Sequence, residues 1–278
     1  MAEPDIEQWR AEARGWLASV LPKRSDRSDT APDYAVFANI SEEAEHAMLD
    51  RVRAYRRQRF DAGYGAIALP AELEWCRPIA PLRRRVHRRG AEVRGADLDR
   101  TDQRHDRARS ARRSRPSAPT RQREKYGRAF LRSDLLCCQL FSEPGAGSDL
   151  AAVATTAVRE DNGWRLDGQK VWSSGARFAD YGLLLARTDP DVAKQAGLTM
   201  FLIPMDAPGV EIRPIRQMSG ASSFNEVFLS DVRVGDDMRI GPIGDGWKVA
   251  NATLGIRAHR QRSGSASQRA ARSRICSG

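Results

Sequence analysis

QLFSEPGAGSD, residues 139–149, is the stretch of this chain most typical of a ligand-binding loop. The segment leaves an apolar run, turns on Pro144-Gly145, and contains glycines that let a ligand approach the backbone closely. Ser142 and Ser148 add hydroxyl groups, and the loop supplies free backbone N–H groups. Taken alone, a cluster of Pro, Gly, Ser and Asp is more often a plain turn.

A second segment, GQKVWSSGA at residues 168–176, has complementary properties. Trp172 offers a large flat apolar surface, and Ser173 and Ser174 offer hydrogen bonds beside it. A flat heteroaromatic cofactor with polar edges needs that combination. In isolation, a core tryptophan near the end of a strand would be the preferred interpretation.

The residues around both segments predict a β domain. A helix is expected over Tyr126–Leu135, and short apolar runs separated by turn signals then continue to about Val234. Asp161-Asn162-Gly163 is a hairpin signal, and Asp167-Gly168 is interpreted as a second turn. Regular short strands of this kind indicate a β-barrel or sandwich-like domain. The predicted strands are 154–159, 164–166, 170–173, 181–186, 198–204, 210–215, 225–229 and 232–234.

Helices are predicted on both sides of this β region. Residues 5–21 have apolar residues at helical spacing and end at Pro22. A second helix is expected from Ser41, its N-cap, to about Phe60, with Gly63 and Gly65 ending it. Its predicted apolar stripe is Ala44, Met48, Val52 and Tyr55. A further helix is expected to start at about Gly246.

The net charge of +10 is concentrated in two segments. Arg77–Arg123 holds sixteen Arg and five acids, and Arg257–Gly278 holds six Arg and no acid, which leaves a net charge of −7 elsewhere. The first segment has no aromatic residue, no Lys and no sustained period. It cannot bury enough apolar surface to offset its ordering entropy, so it is expected to be disordered or poorly packed.

The cysteines and the hydropathy pattern argue against several classes of protein. Cys76, Cys137, Cys138 and Cys276 show no zinc or redox spacing, so no metal site and no disulfide are expected. The N-terminus lacks an apolar signal core, and no apolar run could span a bilayer. A cytoplasmic location without membrane association is therefore expected.

In this order and spacing, the two ligand-binding segments resemble those of acyl-CoA dehydrogenases. Agreement over several segments is far more specific than a lone motif, and here it extends across Leu135–Val249. Upstream, Ala62–Tyr64 and Ala68–Pro70 are also similar to the family. The further matching segments are Leu183–Asp189, Pro204–Pro214, Phe224–Val227 and Gly244–Asn251.

The resemblance implies a flavin-binding middle domain with FAD as the cofactor. The hydroxyl of Ser142 and backbone groups of the loop would face the isoalloxazine, and Ser148 would also touch the acyl-CoA. Trp172, with Ser173 and Ser174, matches the family's Trp-x-Thr/Ser contact, in which the Trp lies against the ring. The implied cofactor-binding residues are Gln139, Leu140, Phe141, Ser142, Gly147, Ser148, Trp172, Ser173 and Ser174.

The reaction that the resemblance implies is α,β-dehydrogenation of an acyl-CoA thioester, a step of fatty acid metabolism. A Glu carboxylate removes the α-proton, and the β-hydrogen leaves as hydride to the flavin, an oxidoreductase reaction. The implied partners are the acyl-CoA substrate, an electron-transferring flavoprotein and further copies of the same chain in a homo-oligomer.

Two segments depart from the family pattern. In most of the family the catalytic Glu lies in a C-terminal helical domain, but no carboxylate follows Asp245 here, so no catalytic residue is assigned. Glu143 is considered structural rather than a substitute base. The forty-one Arg against five Lys suggest a compensated frameshift in a GC-rich gene over residues 75–124 and truncation after about residue 256.

The expected fold class is α+β: an N-terminal helical domain, a β-barrel-like middle domain, and a C-terminal helical bundle domain that is largely missing. Three functions stay open: a flavoenzyme with impaired activity, a non-catalytic FAD-binding remnant, and a nucleic-acid binder that uses the Arg run, which lacks aromatic residues for stacking. The expected divisions are 1–75 and 125–135 for the helical domain, 76–124 for the Arg-rich segment, 136–245 for the middle domain, 246–256 for the start of the last domain, and 257–278 for a disordered tail.

Overall fold

The computed structural model describes residues 6–21, 42–66, 122–218 and 220–255. Most of the Arg-rich segment and the whole tail from Arg257, both expected to be disordered, lie outside the described residues. Residues 122–124, the last three of that segment, are described and are helical.

The two predicted N-terminal helices are confirmed as α1, Ile6–Val20, and α2, Glu42–Asp61. Acidic residues occupy the first turn of α2, where they interact favourably with the helix dipole. Gly63, with φ of 83°, ends the helix as predicted because it readily adopts the left-handed conformation.

The buried face of α2 differs from the predicted stripe. It consists of Glu45, Leu49, Val52, Arg56 and Phe60, while Ala44 is exposed. Two of these residues are charged, and burial requires that they find polar partners. Glu45 pairs with Arg177 of the sheet domain, and a guanidinium nitrogen of Arg56 lies 3.5 Å from the Ser133 hydroxyl. A pattern built on apolar residues alone could not identify this face.

The helix before the sheet starts as a π turn, Arg123–Gly127, and continues as α3, Arg128–Arg132. The prediction that it extends to Leu135 is wrong, because Ser133 takes a left-handed conformation with φ of 64° and ends it. Arg53 of α2 donates to the carbonyls of Ser133 and Asp134 at 3.2 and 2.8 Å. These bonds hold α2 against the C-terminal end of α3, where a positive charge interacts favourably with the helix dipole.

Within the described parts of the chain, eight strands form one mixed sheet. Its hydrogen-bonded order is β6-β7-β3-β2-β4-β5-β8, and β1 pairs with β4 in parallel. Residues 246–255, labelled α4, form the predicted helix that follows the sheet. The strands are β1 Cys137–Leu140, β2 Thr156–Glu160, β3 Gly163–Lys170, β4 Tyr181–Arg187, β5 Leu198–Pro204, β6 Val210–Ile215, β7 Phe224–Gly235 and β8 Arg239–Ile240.

The predicted hairpin at Asp161-Asn162 is confirmed between β2 and β3, but the predicted turn at Asp167-Gly168 is wrong. Asp167 instead lies within β3, opposite a β-bulge that Ser230 and Asp231 form in β7. The Asp167 carboxylate accepts a hydrogen bond from the Asp231 N–H at 2.8 Å, and Asp231 has φ of 54°. The same distortion explains why β7 is one strand where two were predicted.

The sheet is buried on both faces in its centre. Leu184 and Leu185 are adjacent in β4, yet both are fully buried and belong to different hydrophobic clusters. Successive side chains of a strand point to opposite faces. The continuous apolar runs of β4 and β5 therefore indicate that other elements cover both faces. Among the described helices, none combines the length and apolar character required to cross a membrane.

Asp236 provides a test of the fold's pH dependence. Its carboxylate accepts hydrogen bonds from Arg239 at 2.9 Å and from the buried Trp164 indole N–H at 2.8 Å. The bond from Arg239, with that from Trp164, lowers the pKa of Asp236 from 3.8 to about 2. Because the folded pKa is depressed, this stabilisation is complete above about pH 4 and is lost as pH falls toward 2.

Asp236→Asn is therefore expected to be less stable than the parent at pH 6 and to lose less stability between pH 4 and 2. Urea midpoints measured at both ends of that range provide the comparison, and Asp237→Asn, at an exposed neighbouring position, is the control. An equal fall of the urea midpoint between pH 4 and 2 in the parent and in Asp236→Asn would contradict the lowered pKa of Asp236.

Candidate functional site

The loop after β1 turns tightly over Glu143–Ala146. The two residues exchange backbone hydrogen bonds of 3.0 and 3.1 Å, which confirms the turn predicted at Pro144-Gly145. Leu140 and Phe141 are buried in opposite clusters, so their contribution to a ligand is limited to backbone groups. Gln139 and Ser142 are half-buried, while Gly147 and Ser148 are exposed beyond the turn.

A buried ion pair supports this loop from below. The Lys170 ammonium donates to the Glu143 carboxylate at 2.7 Å, to the Leu185 carbonyl at 2.7 Å and to the Phe141 carbonyl at 3.2 Å. All three of its hydrogens are therefore used. The same Glu143 carboxylate accepts from the N–H of Ala154 at 2.6 Å and of Thr155 at 2.9 Å, and from the Thr155 hydroxyl at 2.5 Å.

The electrostatics of this pair agree with a structural role. Burial lowers the pKa of Lys170 to about 8, so the side chain is still protonated at neutral pH. Burial alone would raise the pKa of Glu143, but the charge of Lys170 and the hydrogen bonds outweigh that effect and lower it. A carboxylate with four donors and a depressed pKa is a poor proton acceptor, which agrees with the expectation that Glu143 is not a base.

Trp172 has an unusual conformation for a bulky residue. Its φ is 60° and its side chain is 57% exposed, against 3% for Trp164 in the core. Its ring meets the ring of Phe224 edge to face, with centroids 5.7 Å apart and planes at 87°. The predicted strand 170–173 is wrong because β3 ends at Lys170, and the left-handed Trp172 turns the chain away from the sheet.

The structure brings the two predicted segments together. The N–H of Val171 donates to the carbonyl of Ser142 at 2.9 Å, which fixes the start of the Trp172 segment beside the loop. Ser173 is 1% exposed, and its hydroxyl has no hydrogen-bond partner among the described residues. Ser174 is half-buried.

The turn after Ser174 connects this region to α2. A short 3₁₀ turn, Ala176–Phe178, follows Gly175. Arg177 pairs with the buried Glu45 of α2, and the Phe178 ring packs edge to face against His46 with centroids 4.7 Å apart. The N-terminal helices therefore contact the chain immediately beyond the Trp172–Ser174 segment.

Three supporting residues were not assigned a role from the sequence: Lys170, Thr155 and Asn225. Asn225 is 1% exposed, and its side-chain amide donates to the Ser173 carbonyl at 2.9 Å. A weak signal existed for Lys170, since Lys is rare in this chain, which has forty-one Arg and five Lys. No signal singled out Thr155 or Asn225, because their partners are distant in the sequence.

The residues present fit a flat, polar-edged cofactor. An exposed indole offers a stacking face. The adjacent buried hydroxyl of Ser173 has no hydrogen-bond partner among the described residues, and a ligand could supply one. The loop beside them exposes Gly147 and Ser148, which agrees with an approach of a ligand to the backbone.

Residues 138–232 match the family model described as "Acyl-CoA dehydrogenase, middle domain". The chain carries a middle domain of the acyl-CoA dehydrogenase family. The resemblance inferred from the loop and the Trp172 segment is thereby confirmed over these residues. The acyl-CoA dehydrogenase FadE34 of Mycobacterium tuberculosis is 56% identical over 131 residues, which are 47% of this chain and 18% of FadE34.

The likeness to acyl-CoA dehydrogenases also extends beyond the middle domain. Acyl-CoA dehydrogenase IpdE1 of Mycobacterium tuberculosis is 36% identical over 266 residues, covering 90% of this chain and 62% of IpdE1. A chain of the solved ChsE4–ChsE5 complex from the same organism is 25% identical, with a TM-score of 0.60 over 92% of this chain and 60% of that one. The expected order of N-terminal helices and β domain is thus confirmed, and the chain spans less than two thirds of either relative.

Proposed function

We propose that this chain is the flavin-binding part of an acyl-CoA dehydrogenase that binds FAD and takes part in α,β-dehydrogenation of an acyl-CoA thioester. The observation that carries the proposal is the exposed Trp172 ring, held at φ of 60° beside the unpartnered Ser173 hydroxyl and joined to the Ser142 loop. Strained backbone at an exposed aromatic residue is typical of functional sites.

The residues proposed to hold FAD lie in the two joined segments. Trp172 provides the stacking face, and the hydroxyls of Ser142, Ser173 and Ser174 provide polar contacts. Ser148 is proposed to touch both FAD and the acyl-CoA. When bound, the flavin supplies the acceptor for the hydride that leaves the substrate β-carbon. Gln139, Leu140, Phe141 and Gly147 are proposed to contribute backbone groups.

The proton-abstracting base is not assigned to any described residue. Glu143, a carboxylate within the proposed flavin loop, is saturated by Lys170, Thr155 and Ala154. Its proposed role is to hold the loop in place. The same proposal includes an electron-transferring flavoprotein as electron acceptor, a homo-oligomer and a cytoplasmic location. It also includes domain divisions at residues 75, 124, 135, 245 and 256.

Absorbance spectroscopy of the purified full chain tests this function. After addition of FAD and removal of the excess, we expect a yellow protein. Anaerobic bleaching of its flavin band by butyryl-CoA or octanoyl-CoA would support dehydrogenation by this chain. Free CoA is the control, since it has the nucleotide but no acyl group to oxidise. A yellow protein that neither thioester bleaches would support the non-catalytic alternative. A colourless protein would exclude both flavin functions.

A further inference from the structure

We infer that Asn225, in β7, is a positioning residue that holds Trp172 in the conformation required for stacking on the cofactor. The expected effect of Asn225 on FAD binding rests on the proposed function. The structural basis of the inference, the attachment of the Trp172–Ser173 backbone to β7, can be measured without any cofactor. Asn225 itself is not proposed to touch FAD or substrate.

The starting point is the cost of the Trp172 conformation. A bulky L-residue with φ near 60° brings its Cβ close to its own backbone, and such residues persist only where their surroundings over-determine them. The regular β3–β7 ladder cannot provide this support, because its last pair is Lys170 with Val227. Residues beyond that pair need other contacts.

Asn225 and its neighbour provide those contacts from both sides. The Ser173 N–H donates to the Asn225 carbonyl at 2.9 Å, and the Asn225 side-chain amide donates back to the Ser173 carbonyl at 2.9 Å. Phe224 packs its ring edge to face against the Trp172 indole. Two consecutive residues of β7 thus hold both the backbone after Trp172 and its ring.

The side-chain bond restricts the residue types that can fill this position. Any residue could offer the backbone carbonyl, but the second bond, to the Ser173 carbonyl, requires a short side chain that carries a hydrogen-bond donor. The amide orientation is determined by that carbonyl, which accepts a hydrogen bond only from the nitrogen end. The Asn225 Oδ1 atom has no partner among the described residues, so the bond to Ser173 is the side chain's contribution.

The test compares Asn225→Leu with Gln169→Ala in the full chain. Asn225→Leu keeps the branched shape of the side chain and removes the donor. Gln169→Ala removes a hydrogen bond of 3.2 Å to Glu226 in the same pair of strands, so it is a matched control for general weakening. Three quantities are measured: the FAD dissociation constant, the urea midpoint, and the near-ultraviolet circular dichroism of the flavin-free protein. The Trp172 contribution to that spectrum is obtained by difference from Trp172→Phe.

We expect Asn225→Leu to raise the FAD dissociation constant about tenfold, the equivalent of one lost hydrogen bond, and to reduce the Trp172 signal in the flavin-free protein. Gln169→Ala is expected to leave the FAD dissociation constant and the Trp172 signal within about twofold of the parent values, because its hydrogen bond lies outside the Trp172 segment. If Asn225→Leu does not fold, Asn225→Ala, which removes the same donor without adding bulk, is measured by the same criteria.

An unchanged Trp172 signal in Asn225→Leu would overturn the inference. This holds even if the FAD affinity and the urea midpoint both fall, because a purely structural residue would give that result. Failure of the parent chain to bind FAD would instead count against the proposed function. The circular dichroism of the flavin-free variants would still decide whether Asn225 positions Trp172.

Discussion

Replacing Lys170 with Met is expected to lower the free energy of unfolding by about 3–5 kcal/mol. The substitution leaves the buried Glu143 carboxylate without its cationic partner and leaves the carbonyls of Phe141 and Leu185 without their donor. An uncompensated buried charge is among the few causes of so large a loss. Urea unfolding at pH 7, followed by circular dichroism, measures it.

Lys194→Met is the matched control, because Lys194 forms an ion pair of similar type with Asp149 on the surface. The side chains of that pair are 63% and 62% exposed, against 0% and 8% for Lys170 and Glu143. The exposed pair is expected to contribute less than about 1 kcal/mol. Comparable losses in the two variants would contradict the assigned role of Lys170. Glu143→Gln combined with Lys170→Met should recover part of the loss.

Trp172→Ala is expected to weaken FAD binding by about 10- to 100-fold, the range that corresponds to loss of one aromatic stacking contact. The unfolding midpoint should change little, because the side chain is largely exposed and contacts mainly Phe224. Fluorescence quenching of added FAD by the purified chain gives the affinity.

Trp172→Phe is the control for this substitution, since it keeps an aromatic face at the same position. We expect it to bind FAD less than about tenfold more weakly than the parent. Equal affinities for the parent and Trp172→Ala would show that the indole does not stack on the flavin. A large loss of stability in Trp172→Ala would point to a role for the indole in packing instead.

The features predicted correctly from the sequence depend on local signals. Pro144-Gly145 and Asp161-Asn162-Gly163 mark turns because their residues favour turn conformations over short distances. The apolar runs of β4 and β5 predict buried strands in the same way. The resemblance of segments 139–149 and 168–176 to acyl-CoA dehydrogenases could also be recognised, since each has its distinctive residues at consecutive positions.

The features missed depend on contacts between distant parts of the chain. Asp167 looked like a turn because its partner, the Asp231 N–H, lies 64 residues away. Glu45 was not included in the predicted stripe of α2, because its partner Arg177 is 132 residues away. Asn225 has the same character: its role follows from the position of Ser173 across the sheet. Periodicity and propensity contain no information about such pairs, so the support for the site became visible only with the fold.

The contact between α2 and the turn Ala176–Phe178 has a thermodynamic consequence. The same turn continues directly from Trp172–Ser174 and holds α2 through Arg177 and Phe178. Any coupling between docking of the helix and occupancy of the proposed site is therefore a single free energy. By reciprocity, whatever ligand binding adds to helix docking, helix docking adds to ligand binding in equal measure.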